Sequence, residues 1–230
     1  IERTAYPRFK PSLTANELQT LYEPTEEERD FVSTHARGEA QQLTLLTLLK
    51  CQQHLGYLPA LADVPEQIRT YLCQQLHLVP LMYEHVEAEK TLYRYRQVIR
   101  TYLDIKPYED GGKTVVETAV QHAASTMSDP ADLLNLAVEH LIQQRFELPA
   151  FSTLERLVMH VRHGVHQDLY ARITASLEAA EMARLDALLD VRDGRTDFNR
   201  MKDTPRQATL KHLRQWTTRL TWLDAILPTR

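Results

Sequence analysis

Apolar residues recur along this chain at three- and four-residue spacing and hardly anywhere alternate, which predicts helices rather than strands. Prolines and glycines cut the pattern into segments of helical length. Ser12 or Thr14 is the expected cap of a short helix that ends near Tyr22, ahead of Pro24. Thr25 and Glu28 have the spacing of a capping box, and Glu26 and Glu27 add negative charge at the positive end of the same helix. Gly38 is expected to end it. From Glu39 to Leu55 the residues Leu43, Leu45, Leu46, Leu48 and Leu49 fall nearly all round the helical wheel, the mark of a helix buried on every side. Gly56 is its expected C-cap and Pro59 its stop. Pro65 opens a further helix to about His77, with Ile68, Tyr71, Leu72 and Leu76 inward.

The stretch from Leu81 to Asp110 divides most sharply into two faces. Leu92, Tyr95, Val98, Ile99, Tyr102 and Leu103 gather on one side, and Lys90, Tyr93, Arg94, Gln97, Arg100 and Thr101 on the other. Long donors with an aromatic between them are the residue types that reach phosphates and the acceptor edges of purines in a major groove. Tyr108-Glu-Asp-Gly-Gly-Lys113 follows, and two successive glycines between two apolar-patterned regions predict a domain boundary there. The expectation is two modules, residues 1–110 and 111–230. In the second, a helix is expected from about Lys113 to Thr126. Another starts at Asp129 with Pro130 in first position and runs to Arg145. Ser152 and Glu155 have capping-box spacing for a long helix that turns Leu154, Leu157, Val158, Val161 and Val165 inward and Arg156, Met159, Arg162 and His163 outward. Leu185, Leu188 and Leu189 mark one more helix, and Arg206 to Ile226 the last. Leu58-Pro59-Ala60-Leu61 and Leu148-Pro149-Ala150-Phe151 echo each other between the halves. The fold class expected is all-α, as two small helical, helix-turn-helix-like bundles in tandem.

Charge sharpens this picture. The 230 residues carry a net charge of −4, which argues against wholesale binding to polyanions, so a nucleic-acid role has to rest on local patches. From Glu89 to Lys106 there are five Lys or Arg against two acids, a local +3, and from Arg195 to Arg230 eight against three, a local +5. The longest apolar run, Leu43 to Leu49, holds two threonines, far short of a bilayer span. No signal peptide is expected, nor any membrane partner. Cys51 and Cys73, without metal or redox spacing, read as reduced buried thiols of an intracellular, cytoplasmic protein. A chain opening at Ile1 reads as a processed or excised piece.

Candidate chemistry is thin. His160, His163 and His166 step round the helix so that the third lies about 120° from the first, and no Cys or acid completes a metal set. No glycine-rich phosphate loop, nucleophile motif or acid/base carboxylate pair is recognisable. The expectation is no active site, no metal and no cofactor.

Several stretches together resemble one family, the transposases of the Tn-three family of replicative bacterial transposons, in their amino-terminal region. They are the apolar run from Leu43 to Leu55-Gly56 with Pro59 and Val64-Pro65, the helix from Tyr93 to Pro107, Leu148-Pro-Ala-Phe-Ser-Thr-Leu154, and Leu185-Asp-Ala-Leu-Leu189. The resemblance implies helical modules that bind double-stranded DNA at the terminal inverted repeats, with catalysis on a separate RNase-H-like domain bearing three metal-binding carboxylates, which this chain lacks. It also allows a homo-oligomer in the full transposase. On this basis the expected DNA-binding residues are Lys90, Tyr93, Arg94, Gln97, Arg100 and Thr101 in the first module, with Arg156 and His163 in the second. The competing expectation is a helical protein-interaction or oligomerisation module whose basic faces are only solvated.

Overall fold

Thr14 accepts the backbone N–H of Glu17, whose carboxylate reaches back to the N–H of Thr14, and this closed box starts the first helix, α1 (Ala15–Tyr22). Thr25 and Glu28 repeat the device at the head of α2 (Glu26–His35). Local capping chemistry thus sets both starts: Thr14 is the cap of the two that the sequence offers for α1, and the box at α2 is the one the sequence predicts. In the computed structural model, residues 3–78, 88–196, 198, 199, 202 and 209–226 are described. The order continues with α3 (Glu39–Leu55), α4 (Glu66–Gln75), α5 (Glu89–Leu103), α6 (Gly112–Ala123), α7 (Pro130–Gln143), α8 (Phe151–Ala175), α9 (Ala179–Ala187) and α10 (Leu210–Ile226). The fold is all-α. Two single-turn 3-10 helices, Leu61–Asp63 and Tyr108–Asp110, and a two-stranded hairpin, Val191–Arg192 with Arg195–Thr196, are the regular exceptions among the described residues. Asp193-Gly194 at the hairpin's tip takes φ 53° and 76°, the geometry that an Asp-Gly hairpin turn favours.

Several boundaries differ from expectation for local reasons. Gly38 does not end α2, which stops at Ala36; it is the N-cap of α3 instead. Because α8 already starts at Phe151, with the N–H groups of Thr153 and Leu154 bonded to the carbonyl of Ala150, Ser152 lies inside the first turn rather than at the cap. Asp129 and Pro130 stand where expected, as N-cap and first residue of α7. Residues 79–87, which include the first seven residues of the two-faced stretch from Leu81, and 203–208, which include Arg206, the expected start of the last helix, lie outside the described residues.

The chain divides into two compact units, residues 1–165 and 166–230. The first holds two hydrophobic cores. One is built on α3, with Leu45, Leu46, Leu49, Cys51 and Leu55 buried against Tyr22, Val32, Ile68, Leu72, Tyr95 and Ile99. The other joins Val116 and Val120 of α6, Leu133, Ala137 and Leu141 of α7, and Leu154 and Val158 of α8. The expected boundary at 110/111 falls between these cores, inside the first unit. Gly112 there is buried, and a Cβ on it would stand 2.6 Å from the ring of Tyr108 and 3.3 Å from Leu141, so close approach is the reason for glycine. The second unit contains the last ten residues of α8, α9, the hairpin and α10.

A helix buried all round has little room for charge, yet α3 carries Lys50 at 5% exposure. Its ammonium lies 2.6 Å from the Glu28 carboxylate, which also accepts from the amide of Gln53 at 2.7 Å and from the N–H of Thr25 at 2.8 Å. Burial pushes the Glu28 carboxyl up, but the hydrogen bonds from Lys50, Gln53 and Thr25 outweigh it and hold the pKa below the ordinary range. At the other end of α3, Gly56 caps the helix at φ 74°, and a Cβ there would stand 3.1 Å from a methyl of Leu148.

Two outcomes follow. A carboxyl with a depressed folded-state pKa stabilises above its unfolded pKa of about 4.3 and loses that contribution as pH falls through the folded value. Thermal unfolding between pH 7 and 2 should therefore show a falling melting temperature below about pH 4.3, with a smaller fall in Glu28→Gln, and Lys50→Ala should cost about 3–5 kcal/mol at neutral pH by stranding the carboxylate. Gly56→Ala, strained at positive φ and crowding Leu148, should cost about 1–2 kcal/mol in urea unfolding.

Candidate nucleic-acid interface

Helix α5 docks on the first core through Tyr95 and Ile99, both fully buried, with Leu92, Val98 and Leu103 packed beside them. Its opposite side presents Lys90, Tyr93, Arg94, Arg96, Gln97 and Thr101 to solvent. Tyr93 is 64% exposed. Five of the six α5 residues singled out in the sequence thus share an exposed face, and Arg96, which the wheel did not single out, adds a further exposed cation. The Arg94 guanidinium lies 5.4 Å over the ring of Tyr95, a cation–π contact that steadies its stem without neutralising its charge. Thr101 has its hydroxyl donated to the carbonyl of Gln97 at 3.1 Å, so it offers oxygen acceptors outward.

Arg100 is placed differently. Its Nε and Nη2 donate to one carboxylate oxygen of Glu147, at 2.9 and 2.5 Å, and the two side chains are 17% and 11% exposed. The expected phosphate donor is held inside the protein by a carboxylate that no local pattern pairs with it, because the partners lie 47 residues apart. Tyr102, expected inward, is 38% exposed and stacks on Phe31 with ring centroids 4.2 Å apart.

On α8, Arg156, Met159, His160 and His163 are exposed, while Leu154 and Val158 are buried in the second core. Arg156 bonds the carbonyl of Ser152 on its own helix at 3.2 Å. Arg162, expected beside them, instead donates to the carbonyl of Ser128 at 3.0 Å and ties the loop before α7 to α8. Among the described residues no group of three or more His, Cys, Asp or Glu side chains converges to hold a metal ion, and no described helix is long and apolar enough to cross a membrane. Both cysteines are free and buried, the Cys51 thiol pushed up to about 12 by burial. What the arrangement offers is a row of solvated donors on a helix anchored from behind, able to bind anions and base edges.

Residues 1–161 match the family described as a domain of unknown function, DUF4158. The chain belongs to that family. The matched span ends within a few residues of the first compact unit, so it takes in the α5 face and, on α8, Arg156, Met159 and His160, with His163 two residues beyond it. The chain is 23% identical over 224 residues to the transposase for transposon Tn501 of Pseudomonas aeruginosa, covering 90% of this chain and 23% of that protein. It is 26% identical over 172 residues to the transposase for transposon Tn3926 of Escherichia coli, covering 71% of the chain and 17% of that protein. With the transposase for transposon gamma-delta of Escherichia coli (strain K12) it shares 23% identity over 174 residues, 73% of the chain and 17% of that protein. The chain is thus an amino-terminal region related to Tn-three-family transposases, and it spans less than a quarter of the length of these relatives.

Burial separates the candidate residues in a measurable way. Tyr93→Ala, Arg94→Ala and Gln97→Ala should each change unfolding free energy by no more than about 0.5 kcal/mol, as exposed positions do. Arg100→Ala should cost about 2–4 kcal/mol by leaving the Glu147 carboxylate buried without its cation.

Proposed function

We propose that this DUF4158 region binds duplex DNA at the terminal inverted repeats of a transposon, as the non-catalytic recognition part of a transposase of the two-metal, RNase-H-like kind. The observation that carries the reading is the α5 face, where Lys90, Tyr93, Arg94 and Gln97 stand exposed on a helix whose back is locked into a core. A fixed helix with solvated donors is what groove readout requires, since side chains have to reach base edges without reorganising the backbone. Lys90, at the start of α5, is suited to phosphate; Arg94 and Gln97, one turn apart, to base edges. Arg156 and His163 of α8 form the second contact, and linking two contacts on one body raises the effective concentration of the second.

A second reading, an interaction or oligomerisation module, is favoured by the second compact unit. There Leu189, Val191, Leu210 and Leu213 are 64%, 69%, 67% and 59% exposed, large apolar side chains that a partner surface would remove from water.

Gel-shift titration with an inverted-repeat duplex against a scrambled duplex over a salt series separates the two. On the DNA reading Lys90→Ala weakens both duplexes alike and lowers the salt slope by about one. Arg94→Ala costs roughly 1–3 kcal/mol on the repeat and much less on the scrambled sequence. Wild-type binding by both Arg94→Ala and Gln97→Ala, together with concentration-dependent association in sedimentation, would establish the second reading instead.

A further inference from the structure

Helices α5 and α7 end alike. Asp104 and Arg145, the residues at their ends, take φ 53° and 58°, a left-handed conformation uncommon outside glycine. They are joined to each other, with Nη1 of Arg145 3.2 Å from the Asp104 carboxylate and 3.4 Å from the carbonyl of Leu103. The two exiting chains then pair in parallel: the N–H of Lys106 donates to Arg145 at 2.7 Å, and that of Glu147 to Lys106 at 2.9 Å. One residue on, the N–H of Leu148 donates to the carbonyl of Gly56 at the end of α3, at 2.8 Å. The exits of α3, α5 and α7 are thereby stitched together between the two cores. Tyr6 seals the junction, stacked on Tyr57, edge-on to Phe151 and donating its hydroxyl to Pro149 at 2.6 Å.

Arg100 lies in the last turn of α5 and reaches across this junction to Glu147 with two nitrogens. A guanidinium meant for phosphate gains from staying hydrated until DNA displaces its water; this one is already neutralised and largely out of solvent. We infer that Arg100 and Glu147 are positioning residues that fix the angle of α5 against the second core, so that the α5 face and the α8 face meet DNA as one footprint of set spacing. The inference rests on the DNA-binding reading for its consequence, though not for the geometry it asserts.

The sign of one substitution tests it. By charge alone, Glu147→Gln removes a negative group and frees an arginine, so binding to any DNA should strengthen and the salt slope should steepen by about one. Positioning demands the opposite for specific DNA. With the full chain, and a duplex that the wild-type chain enriches from a random-sequence pool, Glu147→Gln should lower the ratio of enriched to scrambled affinity about tenfold, the size of one misplaced base contact. The swapped pair, Arg100→Glu with Glu147→Arg, should restore most of it. Inserting about half a helical turn, roughly 5 base pairs, within the enriched duplex should harm wild type more than Glu147→Gln. A DNA-free measurement runs beside it. Spin labels on Gln97→Cys and Arg156→Cys should give one narrow distance distribution in the otherwise wild-type chain and a broadened one with Glu147→Gln; if circular dichroism shows that variant unfolded, Arg100→Lys, which keeps the charge and loses the fork, replaces it. An unchanged distribution, or a rise in affinity for both duplexes alike, overturns the inference. Failure to enrich any duplex overturns the DNA reading, and the spin-label result still decides the junction.

Discussion

A charge placed in the middle of a helix that is buried on every side has to bring its own counter-charge into the interior, and Lys50 with Glu28 meets that demand. The same carboxylate closes the cap of α2 and accepts an amide from α3. One side chain therefore fixes the start of α2 against the middle of α3. The first core is completed by α4 and α5, whose Ile68, Leu72, Tyr95 and Ile99 are buried in the same cluster as the α3 leucines. Gln52, two residues along the same helix as Lys50, shows the contrast: it is 1% exposed and neither amide atom has a hydrogen-bond partner within the protein.

The exposed face of α5 inherits its position from this core. Binding surfaces are precise when the elements that carry them are held from behind, and α5 is held twice, by apolar packing along Tyr95 and Ile99 and by the junction after its C-terminus. The electrostatics fit the same division of labour. The chain as a whole is acidic, at −4, yet the solvated face of α5 is cationic, so long-range attraction to a polyanion is weak and any attraction is confined to that local face. The similarity to transposases and this local cationic face are the two observations on which the proposed DNA-binding role rests.

Interactions close in sequence are the ones a sequence displays. The cap of α1 at Thr14, one of the two candidates, the capping box of α2, Asp129-Pro130 at α7 and the glycine cap at Gly56 each depend on neighbours within four residues, and each stands in the structure as read. The hairpin at Asp193-Gly194 has a local signal too, obscured by the lack of alternation in strands only two residues long.

The sequence by itself therefore determined the helical class, most helix starts, and which side of α5 faces water, because periodicity and capping are short-range chemistry. Only the tertiary structure decided what Arg100 does. On a helical wheel it and Arg94 lie at equal angles on either side of the buried stripe, and its fate depends on a carboxylate 47 residues away that the folded chain brings within hydrogen-bonding distance. The role of Gly112 was decided the same way, by the ring of Tyr108 and the side chain of Leu141 pressed against it. Long-range pairing carries no periodicity, so nothing along the chain announces it.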